Sequence, residues 1–178
     1  MSDKPIWALS ATELVKKTKN NDLSATEITF AYLEHIKTIN PELNAIVDDM
    51  SKEAIKRAEN LDSAAKSGDS KGRLFGVPVT VKINVDQKGY ATSNGVSALK
   101  NSIASQNAPI VDHLLNAGAI FVGRTNTPEF SFRAETENPL YGRTHNPWGK
   151  HLSPGGSSGG ASSAVMSGMC ALAHGNDI

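Results

Sequence analysis

The sequence predicts an α/β protein. Three observations carry this: an alternating strand over 76–83, a nearly all-apolar strand over 119–122, and capped amphipathic helices before and between them. Helix and strand alternate along the chain, an order that stacks helices on a central sheet. At 178 residues the chain can bury a real core and has the size of one domain.

The elements follow in order. Ser10-Ala11-Thr12-Glu13 reads as a capping box, with the serine accepting a free backbone N–H and Glu13 reaching back. A short helix through Leu14 and Val15 should end near Asn20-Asn21. Ser24-Ala25-Thr26-Glu27 repeats the device. The helix it opens turns Ile28, Ala31, Leu33, Ile36 and Ile39 to the core and Glu34 and Lys37 outward. Asn40-Pro41 is its expected stop, because the residue before proline is pushed out of helical angles. Residues 45–47 form a short strand candidate, and a third helix runs from about Ser51 to Ala65.

After a polar turn over 66–72 the pattern changes. Val77, Val79, Val81 and Ile83 share one face of a period-two strand, and Thr80 and Lys82 share the other. Pro78 sits near the strand start, where its missing N–H is tolerated. Ala108-Pro109 opens a helix through Val111, Leu114 and Leu115, closed by Gly118. The apolar run 119–122 reads as a strand buried on both faces. Thr127-Pro128-Glu129 opens a further short helix, and Ala164-Val165-Met166 reads as buried structure.

Composition excludes several classes. Eighteen basic residues balance 18 acidic ones, and no charge block stands out, so nothing points to nucleic acid or an anionic membrane. The single cysteine, Cys170, excludes an internal disulfide and fits a reducing, cytoplasmic setting; among apolar neighbours it reads as a small core residue. The N-terminus carries no apolar secretory segment, and no apolar run reaches membrane-span length. The five histidines show no metal spacing.

Chemistry concentrates in two places. Gly155-Gly156-Ser157-Ser158-Gly159-Gly160 can present serine hydroxyls and backbone N–H groups on one turn. It is too short, and too closely followed by apolar sequence, to be a flexible linker. It also matches the G-x-S-x-G nucleophile elbow, but the breaker-rich loop 145–154 stands where that motif needs a strand. No Lys-Ser or Lys-Thr follows the glycines, so it is not a phosphate loop either. The second place is Lys82. Most strand lysines are solvated, but this one sits among valines in a sheet interior, where desolvation favours the neutral amine. A neutral lysine can act as a general base, so Lys82 and the serine turn could form a Ser–Lys pair.

Four stretches then resemble, in order and spacing, the amidase signature family. They are Gly76-Val77-Pro78-Val79-Thr80-Val81-Lys82; Gly118-Ala119-Ile120-Phe121-Val122-Gly123-Arg124-Thr125-Asn126-Thr127-Pro128-Glu129-Phe130; Asn146-Pro147-Trp148; and Pro154-Gly155-Gly156-Ser157-Ser158-Gly159-Gly160. The resemblance covers most of the chain from Gly76 onward. It implies a large α/β/α domain with a mixed central sheet, of which 1–178 form the N-terminal part. A helical layer would span about 1–70 and a motif-bearing α/β part about 71–178.

The resemblance further implies hydrolysis of a carboxamide C–N bond by a serine, a second serine after a cis peptide bond, and a lysine. Lys82 matches the lysine and Ser157 the cis-serine, with Gly155, Gly156, Ser158 and Asp177 as the supporting turn. Gly175-Asn176-Asp177-Ile178 matches the lead-in to the nucleophilic serine, which would follow Ile178; Ile178 itself aligns with the start of the oxyanion-hole N–H series. The sequence departs from many relatives at Ile83, where an acidic residue is common, and at Asn176, where threonine is common. No cofactor or metal is implied. The partner is a small-molecule carboxamide, with no nucleic acid bound directly and no membrane, and a homo-oligomer is left open. Two alternatives stand: the amide-cleaving component of a tRNA-dependent amidotransferase, which needs partner subunits, and a non-catalytic truncated fragment. The 178 residues alone are expected to be catalytically silent and, through exposed strand edges, prone to self-association.

Overall fold

The computed structural model describes residues 4–69 and 71–177. After a 3-10 turn at Ile6–Ala8 come α1 (Ala11–Lys19), α2 (Ala25–Leu43), β1 (Ile46–Asp49) and α3 (Ser51–Lys66). Then follow β2 (Pro78–Lys82), α4 (Pro109–Asn116), β3 (Ile120–Thr125), the small hairpin β4 (Glu137–Asn138) and β5 (Gly142–Arg143), α5 (Gly159–Met166) and β6 (Leu172–Ala173). The main sheet has the order β1-β3-β2-β6. β2 runs parallel to both β3 and β6, while β1 is antiparallel to β3, so the sheet is mixed.

Both faces of the sheet are covered. On one face Val77, Val79, Val81 and Phe121 pack with Val111 of α4, and with Ala11 and Val15 of α1. On the other, Ile120 and Val122 pack with residues of α2, α3 and α5, including Ala25, Ala54, Ala58 and Ala164. β2 is therefore central and wholly buried, as its position between two parallel neighbours requires. Its alternation sends the valines toward α4 and leaves Thr80 and Lys82 on the α5 side, where Thr80 meets the buried Cys170 thiol.

The two capping boxes form as the sequence predicts: Ser10 accepts from the Glu13 N–H and Ser24 from the Glu27 N–H, with each glutamate reaching back to its serine. A further cap comes from 37 residues away. Asp62 of α3 accepts from the Ala25 and Thr26 N–H groups, locking α2 against α3.

Three expectations are corrected. α2 does not stop at Asn40-Pro41 but runs through Pro41 to Leu43. Asn40 makes this tolerable: its Oδ1 accepts from the Ala45 and Ile46 N–H groups, its Nδ2 donates to the Ile46 carbonyl, and left-handed Asn44 closes the helix onto the Asn40 carbonyl. The helix expected after Thr127-Pro128 is only a 3-10 turn at Glu129–Ser131, interrupted by Phe130 and Ser131 at positive φ. Of the trio Ala164-Val165-Met166, only Ala164 is buried; Val165 and Met166 are 40% and 57% exposed. α5 buries one side against the sheet, and the consecutive residues Val165 and Met166 turn away from it.

Candidate active site

The site lies where the end of β2 meets the turn into α5. Lys82, the last residue of β2, is fully buried. Its Nζ donates to Ser157 Oγ at 2.7 Å and to Asn176 Oδ1 at 2.9 Å. Burial pushes the ammonium down to about 8, against the opposing pull of Asp177. His174, half-buried in the following segment, is likewise held below its usual value by burial and then by the Lys82 charge.

The serine turn reaches this lysine through close backbone packing. Gly155 takes φ of 82°, a left-handed angle that glycine adopts freely. Gly156 lies so tightly against the chain at 133–135 that an added Cβ would sit 2.3 Å from the Arg133 carbonyl oxygen. The Gly156–Ser157 peptide bond is cis. Thr136 Oγ1 ties the turn at both ends, donating to the Gly155 carbonyl and accepting from the Gly159 N–H. Ser157 is buried, and its own carbonyl accepts from Thr127 Oγ1 at 3.1 Å. Ser158 caps α5 and exchanges hydrogen bonds with the Asn176 backbone, accepting from its N–H and donating to its carbonyl.

The structure thus brings together Lys82, Ser157 and Ser158, on the turn that Gly155 and Gly156 form. Asp177 is exposed and acts on Lys82 through its charge. Ile178 lies outside the described residues. Sequence reasoning missed Asn84, Thr127, Ser131 and the role of Asn176. Asn84 Nδ2 donates to Ser131 Oγ at 3.0 Å and to Asn176 Oδ1 at 3.1 Å, and the Ser131 and Thr127 hydroxyls meet at 3.0 Å. One signal was available: Asn84 stands two residues past Lys82, in phase with the strand's alternation. Among the described residues, no group of three or more histidine, cysteine, aspartate or glutamate side chains could hold a metal ion. No helix among them is long and apolar enough to cross a membrane.

The family model described as Amidase matches residues 27–178. The chain belongs to the amidase signature family. Among relatives of this amidase sequence, it is 49% identical over 174 residues to the indoleacetamide hydrolase of Bradyrhizobium diazoefficiens, covering 98% of this chain and 33% of that protein. It is 37% identical over 172 residues to a glutamyl-tRNA(Gln) amidotransferase subunit of Caldanaerobacter subterraneus, covering 97% of this chain and 35% of that protein. The crystal structure of a bacterial aryl acylamidase of the same family superposes with a TM-score of 0.90 at 30% identity, covering 94% of this chain and 35% of that one. The chain therefore spans about a third of the length of the curated relatives it matches. The mixed sheet with helices on both faces is the amidase arrangement that the resemblance implied.

Proposed function

We propose that the protein carrying this chain hydrolyses a carboxamide through a Ser–cis-Ser–Lys relay in which Ser157 is the middle serine and Lys82 the terminal base. The observation that carries the proposal is the 2.7 Å contact between Lys82 Nζ and Ser157 Oγ, both groups buried. In this reading a nucleophilic serine beyond Ile178 attacks the amide carbonyl carbon. Its proton passes to Ser157 as Ser157 gives its own to the neutral Lys82 amine. Backbone N–H groups in the segment starting at Ile178 hold the developing oxyanion, and such a donor contributes about 3–4 kcal/mol in related acyl-transfer sites. The relay then runs backward: Lys82 returns its proton through Ser157 to the leaving nitrogen, and the amine or ammonia departs. Water, activated by the same relay, releases the acid. The buried Cys170 thiol, pushed up to about 12 by desolvation, is no competing nucleophile.

The higher identity to an indoleacetamide hydrolase favours a hydrolase and makes indoleacetamide the first carboxamide to assay. Membership of a tRNA-dependent amidotransferase is the second reading, supported by the 37% identical relative; glutamine as amide donor and dependence on partner subunits would mark it. Residues 1–178 are in this reading the N-terminal part of one amidase domain, working in the cytoplasm.

The test is ammonia release from a carboxamide panel by the full-length protein and by its Lys82→Ala and Ser157→Ala variants. General acid–base groups contribute about 10²–10⁴-fold, so each variant should lose that much kcat while remaining folded. Near-native turnover by either variant contradicts the relay, and a full-length protein inert on every amide contradicts the amidase proposal.

A further inference from the structure

The hydrogen bonds around Lys82 close into a ring whose proton directions can all be assigned. The starting point is the Ser157 carbonyl, which can only accept. Thr127 Oγ1 therefore spends its proton there. Ser131 must then donate to Thr127, since Thr127 has no second proton to offer. Ser131 Oγ is left to accept from Asn84 Nδ2, whose other N–H goes to Asn176 Oδ1. That oxygen accepts its second hydrogen bond from Lys82 Nζ, and Lys82 closes the ring on Ser157 Oγ. The orientation of the Asn84 amide is fixed by this chain of donors even though its own Oδ1 is buried without a partner. Turning the amide around would set that oxygen against the Asn176 oxygen.

The consequence falls on Lys82. Asn176 Oδ1 is acceptor-only, so it claims one N–H of the lysine in either protonation state. When the ammonium gives up a proton, the position free to become the lone pair is the one aimed at Ser157. We propose that Asn176, held by the Asn84 amide from one side and by the Ser158 hydroxyl from the other, is the positioning residue that aims the Lys82 lone pair at Ser157. It acts through Lys82 and transfers no proton itself. The two adjacent serines then divide the work: Ser157 relays, while Ser158 anchors the Asn176 backbone. This inference rests on the proposed relay.

The test is the pH dependence of kcat and KM for the full-length protein and its Asn176→Ala and Asn176→Asp variants, with Lys82→Ala alongside. A hydrogen bond to the charged form favours that form, so removing the acceptor should move the inflection to lower pH, and a carboxylate in its place should move it higher. With the lone pair no longer aimed, Asn176→Ala should lose about tenfold to 10²-fold of its kcat plateau with KM little changed. Asn176→Asp still accepts both hydrogen bonds and should recover most of the plateau above its raised inflection. If Asn176→Ala is too unstable to assay, Asn84→Ala, which removes the support of the Asn176 oxygen, should shift the profile the same way and less far. Native inflection and plateau in the alanine variant would overturn the positioning role, as would a fall in plateau with an unmoved inflection. Either result leaves the relay standing so long as Lys82→Ala remains inactive. Turnover by Lys82→Ala overturns the relay itself.

Discussion

Two buried cations lie on neighbouring strands, and they are treated in opposite ways. Lys82 closes β2, and Arg124 lies on β3 beside it in the register; each is 0% exposed. Arg124 is surrounded by acceptors that suit a permanent charge. Its guanidinium donates to Asp48 at 2.9 Å and to the carbonyls of Val85 and Ala91, and it lies over the Tyr90 ring. Burial pulls it below its usual value, but the Asp48 charge opposes that pull, and the group ties β1, β3 and the 85–91 segment together. Lys82 receives only a serine hydroxyl and an amide oxygen. With no carboxylate in contact, burial carries it down to about 8. The same burial therefore gives a structural cation where a partner charge is supplied, and a proton acceptor where it is withheld.

The comparison can be broken by one kind of substitution made at both places in the full-length protein. Lys82→Met should have the larger effect on turnover, about 10²–10⁴-fold in kcat, read from amide hydrolysis. Its stability should hold or rise near neutrality, because methionine removes a buried charge that lacks an ionic partner. The sign with pH follows from the lowered value. Between pH about 8 and 10.5 the unfolded chain binds a proton that the folded chain does not. Native stability should thus rise across that window, and the penalty is fully present below it. Lys82→Met should lose this rise, which denaturant melts at several pH values would detect.

Arg124→Met should show the reverse pattern. It strands Asp48 and two carbonyls, at a cost of about 3 kcal/mol, the low end for breaking a buried pair because the Asp48 side chain remains 22% exposed. Turnover per folded molecule should stay within a few-fold of native. Equal losses of activity in the two variants would mean that the two cations do not divide structure from chemistry as described.

How much of this the sequence carried depends on range. The capping boxes, the central strand and its buried valines were legible because each rests on residues within a few positions of one another. The stop at Asn40-Pro41 misled, since the compensating bonds come from the Asn40 side chain to a strand beyond the helix end. Lys82 and the serine turn were legible as residue types in an unusual setting, and as motifs of the family, but their meeting spans 75 positions. Asn84, Ser131, Thr127 and Asn176 are ordinary polar residues in loops. Only the packing of three separate segments around Lys82 makes them partners, and no local pattern encodes that. Asn176 stood out solely as a departure from the threonine common at its place.

The central claim is that Lys82 is a near-neutral base held by uncharged partners. The most direct measurement is an NMR titration of its Nζ in the full-length protein labelled with ¹⁵N-lysine, using Lys82→Met to assign the resonance. The account predicts a midpoint near 8, well below the remaining lysines. A midpoint at the ordinary lysine value of 10.5 would contradict it.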